Sequence, residues 1–324
     1  MVTTTIEDLH ADVLGCALRR LDGRSLAAAC CATAALRALA TDPETWRALC
    51  LAEWPSLALL AAQPQRRQLL AALPPQRLFA DAHPFPSADA DTGCGLGGGD
   101  GLLPLPVPAG ELLVSAVDVY YRGAPLLSRV VETPASSSWF IASPFRVEAL
   151  ERKKPAPATE AAAAAAPSPA ELELSWVVVD PARGRAVNVS SRRPVAVDRH
   201  WYTGETLARF AVVLGGCKFE ATVACSEGDA GWHAISEVTL AVEDADGAAV
   251  SGEGTLRLLA AAMEAPRKGG KSEPEEAKRR YLEFVKRKKG RKESKARREA
   301  LVDLCCSAAS AVVVLTCLAA VALR

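Results

Sequence analysis

Residues 111–121 read ELLVSAVDVYY, and they mark where the chain changes from one kind of structure to another. Side chains alternate across a strand, so Leu113, Ser115, Val117, Val119 and Tyr121 share one face here. Before this point, residues 6–62 are rich in Leu and Ala at helical spacing, with Pro43 and Pro55 as the only prolines. After it, period-two stretches recur.

ELELSWVVV, residues 171–179, places Leu172, Leu174, Trp176 and Val178 on one face. SSWFIAS (137–143), RFAVVLGG (209–216), FEATVACSE (219–227), SEVTLAVED (236–244) and GEGTLRLLAA (252–261) read as further strands. Turn chemistry separates them: Asp180-Pro181, Gly215-Gly216 and Asp246-Gly247. Seven or so short strands with this punctuation predict an antiparallel β-sandwich, or a jelly-roll-like variant, over residues 111–265. Residues 151–171, ERKKPAPATEAAAAAAPSPAE, are low in complexity and read as a disordered insertion.

Upstream, residues 63–110 are dense in proline and glycine, including GCGLGGGDG and LPLPVPAG, and read as a linker. Residues 1–62 form a separate helical domain. In IEDLHADVLGCALRRL, Leu9, Val13, Leu14, Leu18 and Leu21 recur at intervals of three and four and line an amphipathic helix. LAAACCATAALRALA continues helically after DGRS. TDPETWRALCLAEW then starts a third helix, with Thr41 and Glu44 at capping-box spacing and Pro43 in the first turn. A unit of this size has little core of its own and gains from a partner that covers its apolar face.

The order of these residues resembles the F-box family, of plant type. Leu9, Val13 with Leu14, Leu18, Leu21 and Leu26 follow the family pattern, and LATDPETW, with Leu39, Asp42, Pro43 and Trp46, matches its ending. His10 stands where the family usually has proline, and Leu36 with ATAA stands where V-S-k-x-W is usual. The resemblance covers residues 5–54. It implies docking onto a Skp-type adaptor, and through it onto a cullin scaffold, with Leu9, Val13, Leu14, Leu18, Leu21, Leu26, Leu39, Pro43 and Trp46 as the adaptor-binding residues. The alternative is that these side chains only form the core of an ordinary helical unit. The middle region is also loosely similar to phloem-lectin-like modules, which implies a glycan-binding ancestry without assigning sugar-binding positions.

Catalytic signatures are missing from the sequence. The glycine run lacks the Lys-Ser/Thr of a phosphate loop, and H-E-x-x-H, G-x-S-x-G and kinase motifs do not occur. The ten cysteines form no C-x-x-C pair, and the four histidines are not at metal-ligand spacing from any of them. A non-catalytic protein without cofactor or metal is expected. MVTTTIEDLHADVLG carries acids where a signal peptide needs a basic start, so reduced thiols are expected. The densest polar and aromatic cluster of the β region is Arg199, His200, Trp201 and Tyr202. Two readings stand for it: a substrate-binding surface, since Arg and rigid aromatics anchor interfaces, or a loop that tucks Trp201 into the core.

Net charge is zero, yet residues 278–298 hold twelve Lys or Arg against Glu283 and Glu293, so the remainder of the chain is net acidic. This basic segment, 266–300, leads into LVDLCCSAASAVVVLTCLAAVALR, residues 301–324, in which the twenty residues 304–323 carry no charge. A helix of that length covers about 30 Å, the thickness of a bilayer core. The expectation is a single transmembrane helix, tail-anchored with the N-terminus cytosolic, and with the basic run on anionic membrane lipids rather than nucleic acid. Cys305 and Cys306 at the boundary are candidates for lipidation or simply small apolar residues.

The sequence thus predicts an α+β multidomain protein. Its expected role is a membrane-tethered substrate receptor of a Skp-cullin-F-box ubiquitin ligase, with an unidentified protein client. The alternative is a tail-anchored carbohydrate-binding or scaffolding protein without a ligase role.

Overall fold

A computed structural model describes residues 9–71, 73–83, 112–151, 168–227, 233–265 and 273–322. Among the described residues seven short helices precede the first strand: α1 (Ala11–Leu18), α2 (Gly23–Ala32), α3 (Ala34–Ala40), α4 (Pro43–Glu53), α5 (Pro55–Ala62), α6 (Pro64–Ala71) and α7 (Pro75–Ala82). Their starts are written in the sequence. The side chains of His10, Asp22, Thr33 and Asp42 each accept a hydrogen bond from a first-turn N–H, and α4 to α7 all begin on proline, which has no N–H to leave unsatisfied. The cap of α4 is Asp42, one residue after the expected Thr41. Its carboxylate takes both the N–H and the hydroxyl of Thr45, which a capping box from Thr41 would not allow.

The helical unit is larger than the three helices expected. Residues 64–82, read as the start of a linker, carry α6 and α7, and Phe79 of α7 packs against Trp46 at 5.3 Å and Trp54 at 5.8 Å between ring centroids. Proline marks helix starts here as well as breaks. Residues 84–111, the remainder of that segment, lie outside the described residues, as do 152–167 of the insertion.

Among the described residues nine strands form two antiparallel sheets. One has the order β2-β1-β4-β5, from β1 (Leu112–Tyr121), β2 (Ala124–Pro134), β4 (Leu172–Asp180) and β5 (Arg185–Asn188). The other has the order β3-β9-β8-β7-β6, from β3 (Arg146–Leu150), β6 (Ala196–Arg199), β7 (Thr206–Leu214), β8 (Cys217–Glu227) and β9 (His233–Glu243). A common core joins the sheets, filled by Val117, Val119, Trp176 and Val178 from one and Phe210, Phe219 and Leu240 from the other. Two expected strands are helices. SSWFIAS is α8 (Ser138–Ala142), capped by Ser137, and GEGTLRLLAA opens α9 (Gly252–Glu264), capped by Ser251. Leu256, Leu259 and Met263 of α9 recur at helical spacing and are buried in the sandwich core.

The other face of the four-stranded sheet is also covered. Val114, Ala116, Val177, Val179 and Ala186 join a second core with Leu26, Trp46, Trp54 and Leu57 of the helical unit. Buried polar contacts fix this junction. Ser56 donates its N–H to Asp118 at 2.9 Å and its hydroxyl to the second carboxylate oxygen. Asp81 of α7 accepts a bidentate pair from Arg185 at 2.8 and 3.1 Å, and Arg185 also donates to the Met263 carbonyl of α9. Paired, hydrogen-bonded groups of this kind specify one docking geometry, because an unmatched alternative leaves charges dry.

The reading of residues 301–324 as a transmembrane helix is overturned: among the described residues, no helix is long and apolar enough to cross a membrane. Residues 304–322 of the uncharged stretch belong to one continuous helix, α10 (Glu273–Ala322), whose earlier turns are the basic run. Nine of the twenty residues 304–323 are Ala, Ser or Thr, which favour hydrocarbon far less than Leu or Val do. The tail-anchored location and the cytosolic orientation derived from it fall with the span. Part of the basic run has a different use. Phe284 is buried, and Lys218 of β8 lies 5.6 Å from the Tyr281 ring and 5.9 Å from that of Phe284. Lys288 pairs with Glu243 at 2.9 Å and Arg291 with Asp246 at 3.2 Å, so the first turns of α10 lie against the five-stranded sheet.

Candidate partner-binding surfaces

The residues expected to bind an adaptor divide by depth. Leu26 and Trp46 are fully buried; the Trp46 indole N–H donates to the Ala40 carbonyl at 2.7 Å. Leu14 and Leu18 are buried as well, and Leu21 and Leu39 are half-buried against the same core. These side chains build the unit. Val13 of α1 and Leu9, which precedes the His10 cap, instead stand 55 % and 45 % exposed, and Pro43 is exposed at the first position of α4. The single apolar stripe read from the sequence is therefore divided: Val13 and Leu14, consecutive residues of α1, point about 100° apart, one outward and one inward. His10 takes the capping role at α1, its Nδ1 accepting the Asp12 N–H at 3.4 Å.

Asp22 and Asp42 are anchored anions on this surface. Hydrogen bonds from the Ser25 backbone N–H and hydroxyl hold Asp22 below its ordinary carboxylate range, and the Thr45 hydroxyl does the same for Asp42. Both stay charged at the start of a helix, where the dipole favours them.

On the sandwich, Arg199, His200, Trp201 and Tyr202 come together in the tight turn between β6 and β7. His200 donates its N–H to the Glu205 carbonyl at 2.7 Å, and its Nδ1 accepts from Thr203 N–H at 3.2 Å. Arg199 Nε donates to the Gly204 carbonyl at 3.1 Å, and Gly204 sits at φ +71°, a left-handed conformation that suits glycine. Trp201 is 89 % exposed and Tyr202 79 %, with their rings edge-to-face at 5.6 Å, so Trp201 does not enter the core. Sequence reasoning missed a second exposed indole, Trp139 at the start of α8. The helix cap at Ser137 was the available signal, since it turns the WFI segment from alternating to helical.

Among the described residues no group of three His, Cys, Asp or Glu side chains is placed to hold a metal ion, and no disulfide forms. Burial pushes the thiols of Cys50 and Cys225 up to about 12, far from the thiolate form that a nucleophile needs. Cys305 and Cys306 are exposed on α10.

Three proteins of Arabidopsis thaliana align with nearly all of the chain. "Probable F-box protein At2g36090" is 33 % identical over 94 % of this chain and 89 % of its own length. "F-box protein At3g44326" is 34 % identical over 87 % and 80 %, and "F-box protein At2g27310" is 31 % identical over 93 % and 92 %. The similarity therefore extends through the sandwich and well beyond the N-terminal helices. No family model matches the sequence, and no solved structure matches it.

Proposed function

Because this chain belongs to the F-box protein family, we propose that it is the substrate-recognition subunit of a Skp-cullin-F-box ubiquitin ligase. It performs no bond chemistry. The helical unit docks a Skp-type adaptor, and the cullin scaffold attached to that adaptor supplies the ubiquitin-transfer machinery. The β-sandwich holds the client.

The observation that carries this reading is the exposure of Leu9, Val13 and Pro43 on a unit that packs Leu14, Leu18, Leu26 and Trp46 into its interior. Isolated exposed apolar side chains are ordinary, but Leu9 and Val13 lie four residues apart at the entry of α1, and in a chain of this family they are read as a docking face. The helices share a core with the sandwich, so an adaptor bound to one fixes the position of a client bound to the other. Orientation is what such a receptor contributes, since transfer requires a client lysine held near the scaffold-borne ubiquitin.

Client contact is assigned to the turn bearing Arg199, His200, Trp201 and Tyr202, because two rigid, exposed aromatic rings beside Arg are the usual anchors of an interface. The exposed ring pair also favours a second reading, a carbohydrate-binding protein with no ligase role, since aromatic faces stack on sugars. Co-purification with a Skp-type adaptor separates the two. Replacing Leu9 and Val13 with Asp abolishes adaptor binding in the receptor reading and leaves the thermal midpoint unchanged. No adaptor co-purifying with the parent protein, together with reproducible signal on a glycan array, would establish the second.

A further inference from the structure

The first turns of α10 lie against the five-stranded sheet, and Arg291, paired with Asp246, is the outermost of the contacts described above. Beyond it the helix runs on without cover: residues 292–312 are all exposed, as are Leu315, Thr316 and Ala319. A lone helix in water is marginal, and one that carries an apolar seam normally buries it. Here Leu301, Leu304 and Leu315 stand 64, 68 and 65 % exposed.

The seam is written in the sequence. Leu301, Leu304, Ala308, Ala311, Leu315 and Leu318 follow one another at alternating intervals of three and four, the a and d spacing of a coiled coil. Asp303, Ser310 and Thr316 fall at the b and c positions, on the opposite side. The seam is also a palindrome: from either end it reads Leu, Leu, Ala, Ala, Leu, Leu at the same spacing. A two-fold axis between residues 309 and 310 therefore pairs position 301 with 318, 304 with 315 and 308 with 311 of an antiparallel second copy. A surface that is its own complement under a two-fold axis is what a symmetric dimer requires. Alanine meets alanine at the centre, where small side chains let the helix axes approach to about 8 Å.

Charge favours the same arrangement. Two parallel copies would set the basic runs 278–298, each with twelve Lys or Arg, side by side. About the antiparallel axis the nearest ends of the two runs, at Arg298, stand about 35 Å apart along the helices, against a Debye length of about 8 Å. The partner helix also clears the sandwich, because its residue 322 lies opposite position 297, short of Arg291.

We propose that the exposed half of α10 is a homodimerisation surface, on which a second copy of this chain packs antiparallel along the seam from Leu301 to position 318. The dimer does not depend on the receptor reading.

Sedimentation velocity of the full-length protein over a concentration series tests it. A species of twice the chain mass is expected to grow with concentration. Leu304→Glu and Leu315→Glu are each expected to raise its dissociation constant about tenfold or more, the least that burying a leucine contributes, with the thermal midpoint of the sandwich unchanged. Orientation is read by disulfide trapping with copper phenanthroline as oxidant, on chains in which Cys305, Cys306 and Cys317 are replaced by Ser. An equimolar mixture of Leu304→Cys and Leu315→Cys chains, carrying tags of different size, is expected to give a crosslinked heterodimer, and neither chain alone to crosslink. A monomer throughout the series, a dimer indifferent to both Glu substitutions, or equally ready crosslinking of Leu304→Cys alone would overturn the proposal. A monomer that floats with phosphatidylcholine vesicles overturns it too, and assigns the seam to lipid.

Discussion

The carboxylate of Asp118, on the central strand of one sheet, accepts two hydrogen bonds from Ser56, at the start of a helix 62 residues earlier in the chain. Both residues are fully buried. Asp118→Ala leaves the Ser56 N–H and hydroxyl dry and is expected to cost about 2–4 kcal/mol in urea unfolding at pH 7. Asp118→Asn keeps an acceptor for the N–H and offers a donor to the hydroxyl, and stays within about 1 kcal/mol of the parent. Burial lifts the Asp118 carboxyl above its ordinary value, with hydrogen bonds from Ser128 and Ser56 opposing the lift. The folded protein therefore holds that proton more tightly than the unfolded chain does. Relative to the Asn variant, the parent gains stability as pH falls from neutral through the raised value towards 3.8. A parent that loses stability against the variant over that window contradicts the assignment.

Glu243 has the opposite sign. Burial acts to raise its carboxyl, but hydrogen bonds and charge from Lys288 and Lys218 outweigh it and leave it below its ordinary 4.5. Its contribution is present above 4.5 and is lost as pH falls through the lowered value. Since Lys288 belongs to α10, acidification loosens that helix from the sheet. Hydrogen-exchange protection around Tyr281, Phe284 and Lys288 is expected to fall below pH 4.5 in the parent. In Glu243→Gln it is already reduced at pH 7 and varies little with pH. Phe284→Ala removes the buried anchor and costs about 3–4 kcal/mol of docking free energy, read from the same amides.

Leu14 and Val13 are sequence neighbours with opposite exposure, one buried and one on the surface. Leu14→Ala is expected to destabilise the helical unit by about 2–4 kcal/mol, as buried Leu truncations do. Val13→Asp, at an exposed position, is expected to change stability by less than about 0.5 kcal/mol and, in the proposed receptor role, to remove adaptor binding. Thermal melts and adaptor pull-down on the two variants check the contrast. Val13→Asp with binding intact would move the docking face elsewhere.

What the sequence made legible follows where one physical signal dominated. The alternation in residues 111–121 identified β1, and it also held, unread, the second face: Val114, Ala116, Asp118 and Tyr120 meet the helices rather than water. A strand buried on both sides reads as a run of apolar residues with an embedded acid, and nothing local says what the acid touches. Ser56 and Asp118 are too far apart in the chain for any spacing rule. GEGTLRLLAA misled because Leu256 and Leu258 alternate, whereas the cap Ser251 and the 256, 259, 263 spacing belong to a helix. β5 and β6, four residues each, are too short for a period to register. At the C-terminus, length alone suggested a span, and composition was the stronger constraint. The aromatic turn at Trp201 was legible as a cluster, but whether it faced in or out depended on the Gly204 turn.

Two glycines on helices are expected to answer the same substitution in opposite ways. Gly252 opens α9 where it passes the carbonyl of Phe140, and an added Cβ would stand 2.1 Å from that oxygen. The obstacle is backbone, held by the Gly252 N–H donated to the Ser143 carbonyl at 2.9 Å, so neither partner yields by a rotamer change. Gly252→Ala is expected to cost more than about 2 kcal/mol, by displacing α9 from the sandwich core where Leu256, Leu259 and Met263 are buried. Gly290 lies inside α10 with no heavy atom within 4 Å of an added Cβ. There the substitution only narrows the unfolded ensemble and adds helix propensity, so Gly290→Ala is expected to stabilise the helix by about 0.5–1 kcal/mol. Circular dichroism at 222 nm, followed through thermal unfolding, reads both. A stabilised Gly252→Ala would mean that α9 and α8 are not in contact, and the packing described for the sandwich edge would have to be redrawn.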